Sequence, residues 1–395
     1  MSGSQRYIGA AERRTRLGVG QRLAGPARAR TPEEVADSLV ALHGSDPASV
    51  FLAVGARLSD ASETVARLER ALYEDRSLVR MHGMRHTVFV FPTALVPVVH
   101  ASTGVAVAAR ERASLIKDMA GAGAPDARWL AEVEASALAA LALRGEATAA
   151  ELARDEPRLK EQFVYAAGKS YEGTHTVSSR LLRVLGAEGR VVRGRPLGSW
   201  TSTQFRWAPA PPAAAERPVA EAQAELTGGW LAACGPATEA DLKWWTGWKV
   251  SDVRAALKAV GAVPVSVDEG TAYVLPGAAE PVGPAAPWAA LLPALDPTAM
   301  GWRQRDWYCP EELRPALFDR SGNIGPTVWW DGRIVGGWAQ RPDGDIAWRL
   351  LDTAGAGREA REAIGAEASR LRDWVGATRV TPRFRTPLER ELAAP

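Results

Sequence analysis

Apolar and polar positions alternate along this chain in blocks of helical and strand period, and the blocks repeat. Residues 32–43, 48–58 and 62–73 place apolar side chains at helical spacing, as Val35, Leu39 and Leu42 do in the first and Val65, Leu68 and Leu72 in the third. Thr31 followed by Pro32, and Asp46 followed by Pro47, read as helix caps with proline at the first helical position. Gly44 reads as the stop of the first helix. Residues 77–85 and 86–92 then alternate like two short strands. Three helices followed by a hairpin is the winged-helix arrangement, a variant of helix-turn-helix.

The pattern returns further on. Residues 125–143 predict an alanine-rich helix, Thr148 caps another, and residues 176–185 read as a recognition helix before a two-stranded basic segment at 189–209. After a proline-rich connection at 208–218, helices are expected over 219–233, 240–247 and 250–260. A hairpin at 263–267 and 271–275 turns on Asp268-Glu269-Gly270. The C-terminal part holds several short strands, with Asp331-Gly332 as a turn, and a helix at 359–375. An antiparallel sheet or small barrel is the natural closure. The predicted class is therefore α+β: three tandem winged-helix units (1–120, 121–210 and 216–280) and a β-rich region with a terminal helix (285–395).

Composition narrows the function. A chain of 395 residues, 46% hydrophobic, is globular and too long for one ordinary core. Its net charge of +2 leaves room for one basic face. Cys234 and Cys309 are the only cysteines, so no zinc ligand set and no disulfide framework is expected, and the compartment reads as reducing and cytoplasmic. No run reaches the roughly 18 apolar residues of a membrane span, and the N-terminus lacks a signal peptide's apolar core. Phosphate-loop and nucleophile-elbow patterns are absent, and Gly18 to Leu23 lacks the third glycine of a dinucleotide fingerprint. No cofactor is expected.

Candidate chemistry gathers at His43-Gly44-Ser45-Asp46, between two helix ends. His43 is suited to orienting or deprotonating a water and Ser45 to holding it, while Asp46 serves either as an anion or as a plain helix cap. Candidate DNA contacts are Arg80, His82, Arg85 and His86 on the first hairpin, and Arg193, Arg195 and Arg206 interleaved with Trp200, Phe205 and Trp207. Lys243 beside Trp244 and Trp245, with Arg303 and Arg305, completes the set. Adjacent tryptophans point different ways on a helix, so one of that pair belongs to the core.

The words LHGSDP, ALYEDRSLVRMHGMRHTVFVFP and LLPALDPTAMGWRQR resemble the actinobacterial winged-helix DNA-binding family that includes the AlkZ-like DNA glycosylases. The resemblance implies an enzyme that excises bulky or crosslinking alkylated purines from duplex DNA held on a concave basic surface, as in self-protection against a DNA-alkylating natural product; three units in one chain suit binding as a monomer. In that family the first word carries two glutamines one residue apart, or a glutamine and an aspartate, as the catalytic pair. His43 and Ser45 stand at the matching positions. Arg85-His86-Thr87 matches the family's Arg-Gly-Thr, with His86 in place of the small residue. A non-catalytic winged-helix protein or transcriptional regulator is the alternative class.

Overall fold

The computed structural model describes residues 5–121, 127–165, 168, 172–210, 217–353 and 355–394. A helix not signalled by the sequence pattern, Ala10–Gly20, opens the chain, and Ile8 before it hydrogen-bonds to Ser266 as an added strand on a distant hairpin. Helix Pro32–Leu39 is capped by the Thr31 hydroxyl, which accepts from Glu34 N at 3.1 Å. The expected continuation to His43 does not occur. Val40 turns left-handed at φ 64°, and Leu42–His43 becomes an edge strand, His43 opposite Phe89. Main-chain pairing with the hairpin outcompetes the last helical turn.

Helix Pro47–Gly55 is buried along its whole length, and Thr64–Glu69 runs on through a π turn to Glu74. Strands Leu78–His82 and Val88–Pro92 form the expected hairpin, and Val88–Pro92 takes the centre of a three-stranded sheet between Leu78–His82 and Leu42–His43. Next comes a long helix that the periodic reading missed, through Val96–Val99, a π turn and Val105–Gly121. By length and composition Thr93–Ala120 is the candidate membrane span among the described residues. Its Val98 and Val99 nevertheless pack into one protein core, and Leu115 and Met119 into another.

The second unit follows the expected order with one addition. Helix Ala127–Arg144 matches the alanine-rich segment, whose predicted first residues lie outside the described ones. Thr148 and Glu151 cap Ala149–Asp155 reciprocally. A short hairpin, Gln162–Tyr165 with Gly173–Thr176, precedes helix Val177–Ala187, and the basic hairpin is Val191–Pro196 with Phe205–Pro209. Most of the linker expected at 208–218 also falls outside the described residues.

Helices Val219–Cys234, Glu239–Thr246 and Val250–Ala259, then the hairpin Val263–Val267 with Gly270–Val274, reproduce the third unit closely. In the C-terminal region Ala289–Leu292, Thr327–Trp330, Arg333–Gln340 and Ile346–Leu350 form an antiparallel sheet in chain order. It stays open, so the barrel alternative is corrected. Helix Arg358–Val375 covers it, burying Ile364 and Leu371 in a core shared with the sheet.

Two cores are shared between distant stretches of the chain. One core joins Leu17 and Val79 to Trp230, Trp302 and Leu388, and a second joins Leu39 and Phe51 to Trp338 and Leu371. Residues from Leu115 to Trp207 have a core of their own. A fully buried ion pair welds the shared part. Arg57 binds both oxygens of Asp296 at 2.9 and 2.7 Å and also donates to Thr298 Oγ1 at 2.7 Å and Gln21 O at 3.1 Å, so both charges are fully hydrogen-bonded. The LLPALDP word earns its aspartate through packing.

Candidate active site

Gly44 is not a helix stop. It sits against the central strand, donating to Val88 O at 2.7 Å, and a Cβ there would lie 3.2 Å from that oxygen and 3.3 Å from Phe89 backbone. This close approach fixes the residues on either side. Arg80 holds the Gly44 carbonyl from below, and Arg383 donates to the Ser45 carbonyl at 3.1 Å.

Asp46 is committed elsewhere. One carboxylate oxygen accepts from Ala48 N at 3.2 Å as the helix cap, the other from Arg383 N at 3.0 Å, and the side chain is buried. Each oxygen thus has one main-chain partner, Oδ1 in the helix cap and Oδ2 from the C-terminal segment.

His43 faces an open cleft of about 630 Å³, lined also by Arg85, Trp244, Met300, Arg303, Arg305 and Phe318. Its ring meets Phe89 edge-on, centroids 5.3 Å apart, and Nδ1 is enclosed with no hydrogen-bond partner. Burial first, then the Arg85 and Arg80 charges, push the imidazole down to about 4. His43 is therefore neutral at physiological pH, able to accept a hydrogen bond from water.

The cleft's cations have traceable supports. Arg85 sits at φ 53° and ψ 37°, a conformation that L side chains rarely adopt, with its guanidinium 4.3 Å from the Trp244 ring. Trp245 turns inward and is buried, so the tryptophan pair divides as helical geometry requires. Asp241 accepts from Arg303 N and Gln304 N at 2.9 Å each, and its other oxygen accepts from Thr238 N at the helix cap. One buried aspartate thus ties the third unit to the GWRQR loop. Arg305 donates to Trp302 O at 3.0 Å and lies 5.5 Å from Trp244 and 5.3 Å from Phe318. Among the described residues, Arg85, Arg303, Arg305 and Lys243 form no ion pair.

Other candidates are placed differently. Arg80 and His82, read as candidate DNA contacts, are both buried in the free protein, and His82 faces Arg193, Gly186 and Trp207 of the second unit. Burial followed by the Arg193 and Arg183 charges pushes His82 to about 4 as well. His86, at φ 60°, turns from the cleft to Glu111, Nδ1 to Oε1 2.6 Å, while Arg85 and Thr87 on either side line the cleft. His86 itself is not part of the cleft lining. Left-handed backbone favours glycine, which fits the small residue of the family pattern. Arg193 is largely covered and stacks 4.4 Å from Phe205. Arg195 pairs with Glu74 at 2.7 Å, and Arg206 with Glu151 at 3.0 Å. Met300, Arg314, Phe318 and Asn323 also line the cleft and had no sequence signal, since only the tertiary fold brings their segment to His43.

A family described as DNA glycosylase AlkZ-like matches residues 36–374. The chain belongs to the AlkZ-like DNA glycosylase family. It is a DNA glycosylase, and DNA is its substrate. Among solved structures, the fold is similar to Streptomyces sahachiroi DNA glycosylase AlkZ, with TM-score 0.70, 19% identity, 96% of this chain covered and 99% of that one. No curated protein sequence matches the chain.

Proposed function

We propose that this glycosylase excises bulky alkylated purines, cationic guanine adducts in particular, from duplex DNA. The carrying observation is neutral His43 at the cleft that Arg85, Arg303, Arg305 and Trp244 frame. Scission of an N-glycosidic bond passes through a sugar oxocarbenium ion that water must capture. A purine alkylated at ring nitrogen 7 is already cationic and leaves neutral, so no strong general acid is needed. The His43 imidazole accepts a hydrogen bond from the water and takes up its proton as the C–O bond forms. Ser45, two residues along the same segment, helps to hold that water. With no carboxylate lining the cleft among the described residues, the phosphodiesters flanking the sugar supply the negative charge beside the oxocarbenium ion.

The three helix-and-hairpin segments act as winged-helix units on the duplex, and a single chain supplies all three, so the protein works as a monomer. Self-protection in a producer of a DNA-alkylating compound is the biological setting that the family resemblance supports. The test incubates the protein with duplex DNA carrying a bulky guanine adduct and measures released modified base and heat-labile abasic sites. Tight binding with no release across several adducts would overturn the substrate assignment.

A further inference from the structure

A second cationic site lies behind the catalytic turn, where the first hairpin meets the second unit. Arg76, Arg80 and Arg193 line a cavity of about 20 Å³ together with Tyr73 and Glu146. Among the described residues none of the three arginines forms an ion pair, and Glu146 forms none either. Arg80 is buried, and its Nε, like that of Arg193, is enclosed without a hydrogen-bond partner. Of the Arg80 fork, one Nη donates to the Gly44 carbonyl. Arg193 rests on Phe205, a face that offers no formal charge.

Arginine cannot relieve such crowding by losing its proton. Burial followed by the Arg80, Arg383 and Arg183 charges pushes Arg193 down to about 9, the direction expected of a cation held among cations. Elsewhere the protein answers covered arginines with carboxylates, as Arg57 with Asp296 and Arg112 with Glu134 and Glu188. Here three arginines and one carboxylate line the same cavity. A cavity of this size admits an oxygen of a phosphate group, and guanidinium forks match its geometry.

We propose that Arg76, Arg80 and Arg193 form an oxyanion site for a phosphate group at the seam between the first and second units. Arg80 then links the bound anion to the Gly44 carbonyl, and so to the backbone beside His43. The site goes beyond the excision reading and does not depend on it.

The test follows thermal unfolding of the full-length protein as inorganic phosphate replaces chloride at fixed pH and ionic strength. The melting temperature should rise by a few degrees with phosphate, because a ligand of the folded state stabilises it by mass action. Arg193→Gln should melt higher than the parent without phosphate, since like-charge repulsion is relieved, and should lose the phosphate response. Arg76→Gln, altered at an exposed residue on the rim, should weaken the response with folding intact. Absence of a phosphate-specific rise in the parent, or an undiminished rise in both variants, overturns the proposal. A repeat with saturating undamaged duplex distinguishes the sources. A phosphate effect abolished by DNA assigns the site to a backbone phosphodiester, and one that persists assigns it to free phosphate.

Discussion

His43 and His82 lie on the two outer strands of one three-stranded sheet, against neighbouring residues Phe89 and Val88 of the central strand, and both are pushed to about 4. Their settings nevertheless diverge. His43 borders a cleft of about 630 Å³, whereas the second unit closes over His82 and leaves a cavity of only about 10 Å³. A depressed pKa therefore does not by itself mark the chemistry. Access is what separates the proposed catalytic histidine from the sealed one, because a neutral imidazole is useful only where water and a sugar can reach it.

The largest expected contrast is catalytic. His43→Ala should slow base release by roughly 10²- to 10⁴-fold in single-turnover assays, the usual span for a positioned base, while duplex binding holds. His82→Phe should release base at nearly the parental rate. Equal losses in the two variants would erase the distinction between open and sealed histidine.

Stability should not follow that ranking, since both histidines are depressed alike. Unfolded His82 takes up a proton near pH 6.5 and folded His82 only near about 4, so between these values the unfolded chain binds more protons. Stability is full above pH 6.5 and declines as the pH falls toward 4, by roughly 3 kcal/mol for this group at about 1.4 kcal/mol per unit. Denaturant titrations from pH 7 to 4.5 should show a shallower decline in His82→Phe than in the parent. Identical slopes would mean that His82 does not carry the effect.

A smaller effect separates cap from catalyst at Asp46. Asp46→Ala should cost about 1 kcal/mol or somewhat more in thermal unfolding, since the cap to Ala48 and the bond from Arg383 both go. Asp46→Asn should keep the cap to Ala48 with its one acceptor oxygen, lose the bond from Arg383 N, and release base near the parental rate. If the asparagine variant folds but excises no base, the carboxylate has a chemical role that its two backbone partners conceal.

Smallest is the difference between free and paired arginines. Arg305→Ala should lower the slope of log affinity against log salt by about one unit for undamaged duplex, and Arg206→Ala by much less, because Glu151 already holds Arg206. Equal changes would show that ion pairing in the free protein does not predict which arginines meet phosphate.

Local chemistry made much of the fold legible. Caps at Thr31, Asp46, Thr148 and Thr238 depend on contacts within three residues, so their helices start where the sequence places them. Val263–Val267 and Gly270–Val274 pair around a turn specified by its own residues. The turn at residues 43–46 was also visible as a polar interruption between apolar blocks. Its division of labour was not, because Asp46 is claimed by Arg383, hundreds of residues away in the chain.

Long-range pairing decided the rest. Leu42–His43 left the helix because a central strand offered it backbone partners, which turned His43 toward the cleft. Arg80 and His82 alternate on a strand as surface residues would, yet the second unit and the turn cover them. Alternation specifies which residues share a face, not whether another unit will cover that face. The sequence by itself determined the capped helices, three of the hairpins and the cation supply of this glycosylase. Only the tertiary structure decided which cations stay unpaired and which histidine meets the cleft, since both depend on contacts between segments that local patterning cannot position.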